Sequence, residues 1–90
     1  MKTLRVEQHI FLDRSIYVVD ARDIEKLFEA IDDQHPELEV KENCMYMESA
    51  NRDGHLEHHF KDSFTRESQW LRLDNHQYEI EEIFKNINLF

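Results

Sequence analysis

One glycine and one proline in ninety residues leave this chain almost no means of forming a flexible linker. Gly54 follows Asp53 in a turn-like sequence and Pro36 follows a helical pattern, so neither belongs to a low-complexity stretch. A chain of this length can close one hydrophobic core and has little surface to spare for a second. We therefore predict a single domain over residues 1–90.

The composition favours an ordered domain in a reducing compartment. Apolar residues make up 40% of the chain and aromatic residues 11%, which is enough for a packed interior. The lone Cys44 cannot form an internal disulfide, so we expect a cytoplasmic location. The N-terminal segment lacks an apolar signal-like run, and nowhere does the sequence contain a membrane-length apolar run, so we expect neither export nor membrane insertion.

The first third of the chain predicts two strands and a helix. Leu4, Val6 and Ile10 alternate with polar residues, and residues 16–19 are β-branched or aromatic, as in a hairpin. Asp20 stands at a helix N-cap position. Apolar residues then recur with helical spacing, so we predict a helix over residues 21–33, ended by Pro36.

The middle of the chain predicts more strands. Residues 38–46 alternate, with an interruption at Glu42 that predicts a bulge or split strand near Asn43. Asp53-Gly54 is a typical hairpin turn, and residues 68–73 predict a further short strand. After the turn the alternation resumes at Leu56, His58, Phe60 and Phe64.

A second helix is predicted at the C-terminal end, with Asn75 as its N-cap. Its apolar stripe consists of Ile80, Ile83, Phe84 and Ile87. The resulting order, ββα-βββα, predicts an α+β fold: a two-layer sandwich in which an antiparallel sheet of about five strands carries both helices on one face.

Charge is concentrated in the two predicted helices. The net charge of the chain is -9, of which residues 20–33 contribute -4 and residues 74–90 contribute -3. This balance disfavours direct binding to nucleic acid or to anionic membranes. An ordinary solvated face is one interpretation; the other is a surface that attracts a basic partner.

Several of these carboxylates lie where negative charge destabilises a helix. Neighbouring acids in the first helix repel one another, and Asp32 and Asp33 stand at its C-terminal end, where the helix dipole disfavours negative charge. Trp70 and Arg72 have the opposite parity from Leu71 and Leu73 and are residue types enriched at binding sites. The predicted partner-binding residues are therefore Asp23, Glu25, Glu29, Asp32, Asp33, Glu79, Glu82, Trp70 and Arg72.

Catalytic motifs are absent from the sequence, so we expect no enzyme activity, no cofactor and no metal. One alternative stays open: His55, Glu57 and His59 alternate along a predicted strand and could bind zinc or iron from one face. The favoured interpretation of these three residues is the polar side of a half-buried strand. Cys44 shares the parity of core residues, which indicates packing rather than nucleophilic chemistry.

In size and charge the chain is similar to small acidic inhibitors such as nucleic-acid mimics, phage anti-defence proteins and immunity proteins of nuclease toxins. We therefore expect an inhibitor or adaptor that binds a basic, nucleic-acid-binding surface of a nuclease or another DNA- or RNA-binding protein. The alternatives are a structural or regulatory homodimer formed through the C-terminal helix and a metal enzyme that uses His55, Glu57 and His59.

Overall fold

The computed structural model describes residues 2–11, 14–74 and 78–84. The described residues form six β-strands, two α-helices and two 3₁₀ turns. The strands are β1 (Lys2–Phe11), β2 (Arg14–Val19), β3 (Cys44–Arg52), β4 (His55–Asp62), β5 (Ser68–Arg72) and β6 (Tyr78–Phe84). The α-helices are α1 (Ile24–Gln34) and α2 (Val40–Asn43), preceded by 3₁₀ turns at Ala21–Asp23 and Pro36–Leu38.

All six strands belong to one mixed sheet with the order β5-β4-β3-β2-β1-β6. Strand β6 is parallel to β1, and the other neighbouring strands are antiparallel. The junction between β2 and β3 is short, since its register within the described residues consists of Tyr17 opposite Ser49. The sheet therefore has two three-stranded halves that meet along a narrow junction.

Helix α1 covers one face of this sheet. Strand alternation directs Leu4 and Val6 of β1 toward α1, where both are fully buried. The ring of Phe28 on α1 lies 5.5 Å from the ring of Phe60 on β4, measured between centroids. The core between the two layers consists of Leu4, Val6, Val19, Leu27, Ala30, Ile31, Val40, Cys44, Phe60, Leu73 and Tyr78. Among the described residues the other face of the sheet carries no covering helix.

The predicted α+β class, with a sheet and two helices, is confirmed. The sheet has six strands rather than five, and it is mixed rather than antiparallel because β6 joins beside β1. The first hairpin and the helix predicted over residues 21–33 both form, the latter as a 3₁₀ turn continued by α1. The Asp53-Gly54 turn also forms between β3 and β4, with positive φ at both residues.

The predicted C-terminal helix is wrong over the described residues, because residues 78–84 form strand β6. Ile80 and Ile83 fit a helical stripe, but the segment instead pairs with β1 in parallel register, from Lys2 opposite Tyr78 onward. This pairing buries Tyr78 and satisfies backbone groups along both strands. Tertiary pairing thus overrides the local pattern. Asn75 and Ile87, assigned to that helix, lie outside the described residues.

Residues 38–43 also depart from the strand predicted over residues 38–46. They belong to the second 3₁₀ turn and to α2, and the following strand begins only at Cys44. Glu39 joins the two helical pieces with a φ of 47°, in the left-handed region. A bulge lies between Tyr46 and Glu48. Phe64 does not continue the β4 alternation, because it lies in the turn after β4 and is 84% exposed.

Candidate functional site

Two of the predicted carboxylates, Glu25 and Glu29, lie exposed on the outer face of α1. Lys41 of α2 reaches across to them: its Nζ lies 3.0 Å from Glu25 Oε1 and 3.9 Å from Glu29 Oε1. The hydrogen bond to Glu25 and the charge of Glu29 raise the pKa of Lys41 above its ordinary value. The acids of α1 are therefore partly neutralised by a neighbouring cation.

Asp23 is an internal contact rather than a surface group. Its side chain is 1% exposed. Its carboxylate accepts hydrogen bonds from the Arg5 backbone N–H and Nε, both at 2.9 Å, and from Nη2 at 2.8 Å. The hydrogen bonds and charge of Arg5 hold the pKa of Asp23 well below its usual range. Asp23 thus fixes the start of the helical layer to β1.

Asp32 also binds the protein itself. Its Oδ1 accepts a hydrogen bond of 2.7 Å from the backbone N–H of Val40, and its Oδ2 one of 3.2 Å from that of Lys41. These N–H groups belong to the first turn of α2 and have no partner within a four-residue helix. Asp32 therefore supplies the capping acceptor that α2 lacks, because Glu39 at the N-cap position makes no side-chain cap.

The outer side of the helical layer is nevertheless acidic, because the segment between α1 and β3 adds its own carboxylates. Residues 20–43 sum to a net charge of -6. Glu39, Lys41, Glu42 and Asp32 border one shallow depression, which places the acids of α2 next to the end of α1. We call the following exposed carboxylates the acidic surface: Glu25, Glu29, Asp33, Glu37, Glu39 and Glu42.

Only part of the acidic surface is compensated by nearby cations. Glu37 Oε1 lies 3.6 Å from Nδ1 of His35, a contact that is ionic only when the imidazole is protonated. For Asp33, Glu39 and Glu42, an ion pair or hydrogen bond from the side chain is absent among the described residues. These three acids are the uncompensated part of the surface.

Glu79 and Glu82 do not extend the acidic face of α1 as predicted. Both lie on the edge strand β6, and their separation of three residues points them to opposite faces of the sheet. Glu82 faces the side of Val6, its register partner, and Glu79 the side of Thr3. The acidic surface is therefore built from the helical layer alone.

Trp70 and Arg72 lie on the open face of the sheet, away from α1. The Trp70 ring stacks on the imidazole of His59, with centroids 4.6 Å apart and planes inclined by 12°. The guanidinium carbon of Arg52 lies 4.2 Å from the Trp70 ring centroid, a cation–π distance. Arg72 is held by Glu57, whose Oε2 accepts a hydrogen bond of 2.7 Å from Nη2. The two residues are thus separated from the acidic surface by the thickness of the sheet.

The possible metal ligands on β4 have other partners. Glu57 binds Arg72 and also lies 3.8 Å from Nε of Arg52. His59 stacks on Trp70, and its Nδ1 is 3.6 Å from Glu48 Oε1. Both ring nitrogens of His59 are buried without a hydrogen bond. Within residues 2–11, 14–74 and 78–84, groups of three or more His, Cys, Asp or Glu that could hold a metal ion are absent.

A buried hydrogen-bonded chain crosses the sheet on the side of α1. The backbone N–H of Val19 donates to Tyr46 Oη at 2.9 Å, Tyr46 Oη lies 2.6 Å from Ser49 Oγ, and Ser49 Oγ lies 2.7 Å from His58 Nδ1. His58 is 1% exposed, and burial lowers its pKa to about 4. The imidazole is therefore neutral at pH 7. Cys44 is also buried, and burial raises the pKa of its thiol.

Comparison of the chain with family models, curated proteins and solved structures found no match. Among the described residues, helices long and apolar enough to cross a membrane are absent.

Sequence reasoning missed half of the acidic surface. Glu39 and Glu42 fell within the predicted strand over residues 38–46, where alternation would have divided them between two faces, and Glu37 was assigned to no element. The available signal was Pro36 followed by a run of residues with good helix propensity, which is compatible with a short helical segment. Phe64 was assigned to the alternation of the strand after the turn but stands exposed in the turn after β4.

Proposed function

We propose that this protein is an acidic binding module, an inhibitor or adaptor that engages a basic, nucleic-acid-binding surface of a partner protein. The observation that carries the proposal is the acidic surface on the helical layer, of which Asp33, Glu39 and Glu42 make no ion pair with a described residue; Lys41, which lies beside Glu39 and Glu42, pairs with Glu25 and Glu29 instead. A field of one sign steers an oppositely charged partner and raises its association rate. A nuclease inhibitor or a phage anti-defence protein is the class of protein that such a surface suits.

The position of Glu39 adds an independent argument. A glutamate at a φ of 47° is in a conformation that costs a residue with a Cβ about 1 kcal/mol, whereas glycine adopts it freely. Its side chain makes no cap for α2. A strained position that keeps a carboxylate without using it internally is consistent with a role outside the chain.

The lone Cys44 thiol supports a reducing location, so we place the proposed activity in the cytoplasm of the producing or host cell. The alternative function was a homodimer that forms through a C-terminal helix. Residues 78–84 of that predicted helix form strand β6 instead, so they do not support this alternative.

The experiment is a pull-down from cell lysate with two triple variants that remove equal charge. The test variant carries Asp33→Asn, Glu39→Gln and Glu42→Gln, and the control carries Asp53→Asn, Glu67→Gln and Glu81→Gln, all at exposed positions. We expect the wild type and the control to capture a nucleic-acid-binding protein that moderate salt or added duplex DNA releases. The test variant should capture much less. Equal capture by all three proteins would refute the proposal.

A further inference from the structure

A cavity of about 160 Å³ opens on the same side of the sheet as α1. It is bounded by Val6 and Ile80 from the β1–β6 half, and by Leu56 and the buried Leu73 from the β4–β5 half. Tyr17 and Tyr78 add aromatic walls. A space of this volume can hold one benzene-sized ring. Its walls are polar as well as apolar, because imidazole and carboxylate side chains also line it.

His58 presents a single defined hydrogen-bond donor to this cavity. The backbone N–H of Val19 can only donate, so Tyr46 Oη accepts there. If His58 Nδ1 carried the proton, Ser49 would donate back to Tyr46, and the hydroxyl hydrogen of the partly buried Tyr46 would have no acceptor among the described residues. In the arrangement that gives each of these hydroxyl hydrogens an acceptor, Tyr46 donates to Ser49 and Ser49 donates to His58 Nδ1. The proton of the neutral imidazole is then on Nε2.

The Nε2–H group is the part of His58 left to face the cavity. His58 lines the cavity, and within the described chain its Nε2 has no hydrogen-bond partner. Unlike the ring nitrogens of His59, this atom is not fully buried. The low pKa of His58 keeps this group a neutral donor at pH 7. A ligand atom opposite it must therefore be an acceptor, such as an oxygen.

The charges around the cavity select the sign of the ligand. Glu82 and Asp74 contribute carboxylates to the lining, and Glu82 is exposed at the edge strand. Lysine and arginine are absent from the described lining residues, whose other titratable side chains are those of His55, His58, Tyr17 and Tyr78. An anion would therefore meet repulsion, and a cation would be attracted.

We propose that this cavity binds a small organic amine. Its ring-sized apolar body lies between Val6, Leu56 and Ile80, its oxygen accepts a hydrogen bond from His58 Nε2–H, and its ammonium group lies beside Glu82. The proposal is independent of the acidic surface, which lies on the outer side of the helical layer.

The test is an NMR titration of the full chain with three probes that share one framework: 4-hydroxyphenethylamine, phenethylamine and 4-hydroxyphenylacetate. We expect the first to shift the His58 ring signals and the Leu56 and Ile80 methyl signals saturably. Phenethylamine, which lacks the oxygen, should bind roughly tenfold more weakly. The carboxylate probe should cause no shift at the same concentrations. Comparable binding of the carboxylate, or no cavity shifts with the first probe, would overturn the proposal.

Variants separate the charge and the shape of the cavity. Glu82→Gln should weaken 4-hydroxyphenethylamine binding roughly fivefold, whereas Glu79→Gln, on the opposite face of the same strand, should leave it unchanged. Ile80→Trp should abolish binding by filling the cavity, and Ile80 is 42% exposed, so the substitution is compatible with folding. Undiminished binding to a folded Ile80→Trp variant would contradict the proposal, and the wild-type titration stays decisive in either case.

Discussion

Asp32 Oδ1 accepts a hydrogen bond of 2.7 Å from the backbone N–H of Val40, and this contact ties the end of α1 to the start of α2. A carboxylate that the sequence assigned to a partner thus holds together the helical layer on which the acidic surface lies. The acids of the helical layer thus fall into two groups, those that bind the chain itself and those that face outward.

Asp32→Ala should lower the free energy of unfolding by about 1–2 kcal/mol, because α2 loses its capping acceptor. The matched control is Asp33→Ala, which removes the same charge from the next residue, where the side chain has no described partner. The control should change stability by less than about 0.5 kcal/mol. Urea unfolding of both variants measures the difference, and equal effects would contradict the capping role.

Asp23→Ala should destabilise the protein by about 2 kcal/mol, because the backbone N–H of Arg5 and its partly exposed guanidinium both lose their acceptor. Glu25→Ala removes an acid whose partner, Lys41, is half-exposed, and should cost less than about 1 kcal/mol. Thermal and urea unfolding are the measurements. Similar losses for the two variants would show that the Asp23–Arg5 pair is no stronger than a surface pair.

Glu39→Asn should raise stability by about 0.5–1 kcal/mol, since asparagine tolerates the left-handed conformation better than glutamate. It should at the same time reduce partner capture. Arg66→Asn, at a second exposed residue with a φ of 66°, serves as the control, with a similar gain in stability and unchanged capture. A Glu39→Asn variant that gains stability and captures the partner fully would remove Glu39 from the binding surface.

Acid should destabilise the fold in two separate ranges of pH. The pKa of His58 is lowered from 6.5 to about 4 in the folded state. As pH falls below about 6.5, His58 becomes protonated in the unfolded chain but stays neutral in the folded chain. About 3 kcal/mol of stability is therefore lost by pH 4. The pKa of Asp23 is lowered instead, so its contribution is present above its unfolded pKa and is lost as pH falls below that value.

Unfolding free energies measured from pH 7 to 4 test the His58 contribution. A His58→Gln variant is expected to be less stable at pH 7 but to show a much flatter dependence on pH over this range. A wild-type curve that is flat between pH 6.5 and 4.5, or a variant curve as steep as the wild type, would contradict a buried neutral His58.

The parts of the fold that were predicted correctly depend on local patterns. The β1–β2 hairpin and α1 follow from alternation and helical spacing over short windows, and the Asp53-Gly54 turn follows from residues that accept positive φ. Strand β6 was missed because Ile80 and Ile83 satisfy a helical period. Its true partner, β1, lies more than seventy residues earlier in the chain.

The acidic character of α1 could be predicted from the sequence, but its pairing could not. Lys41 compensates Glu25 and Glu29 because α2 folds back beside α1, a tertiary arrangement without a local sequence pattern. This arrangement also adds Glu39 and Glu42 to the acidic surface. The sequence had predicted Glu79 and Glu82 in that role, on a C-terminal helix that is strand β6 over residues 78–84. The His58 cavity depends on contacts between the two halves of the sheet and is likewise invisible to periodicity.

The most direct test of the acidic binding surface is the salt dependence of association between the protein and the partner it captures. The association rate constant of the wild type should fall steeply as ionic strength rises, and the Asp33→Asn, Glu39→Gln, Glu42→Gln variant should associate more slowly at low salt with a clearly shallower dependence. A variant whose rate constant and salt dependence match those of the wild type would contradict an electrostatically guided partner.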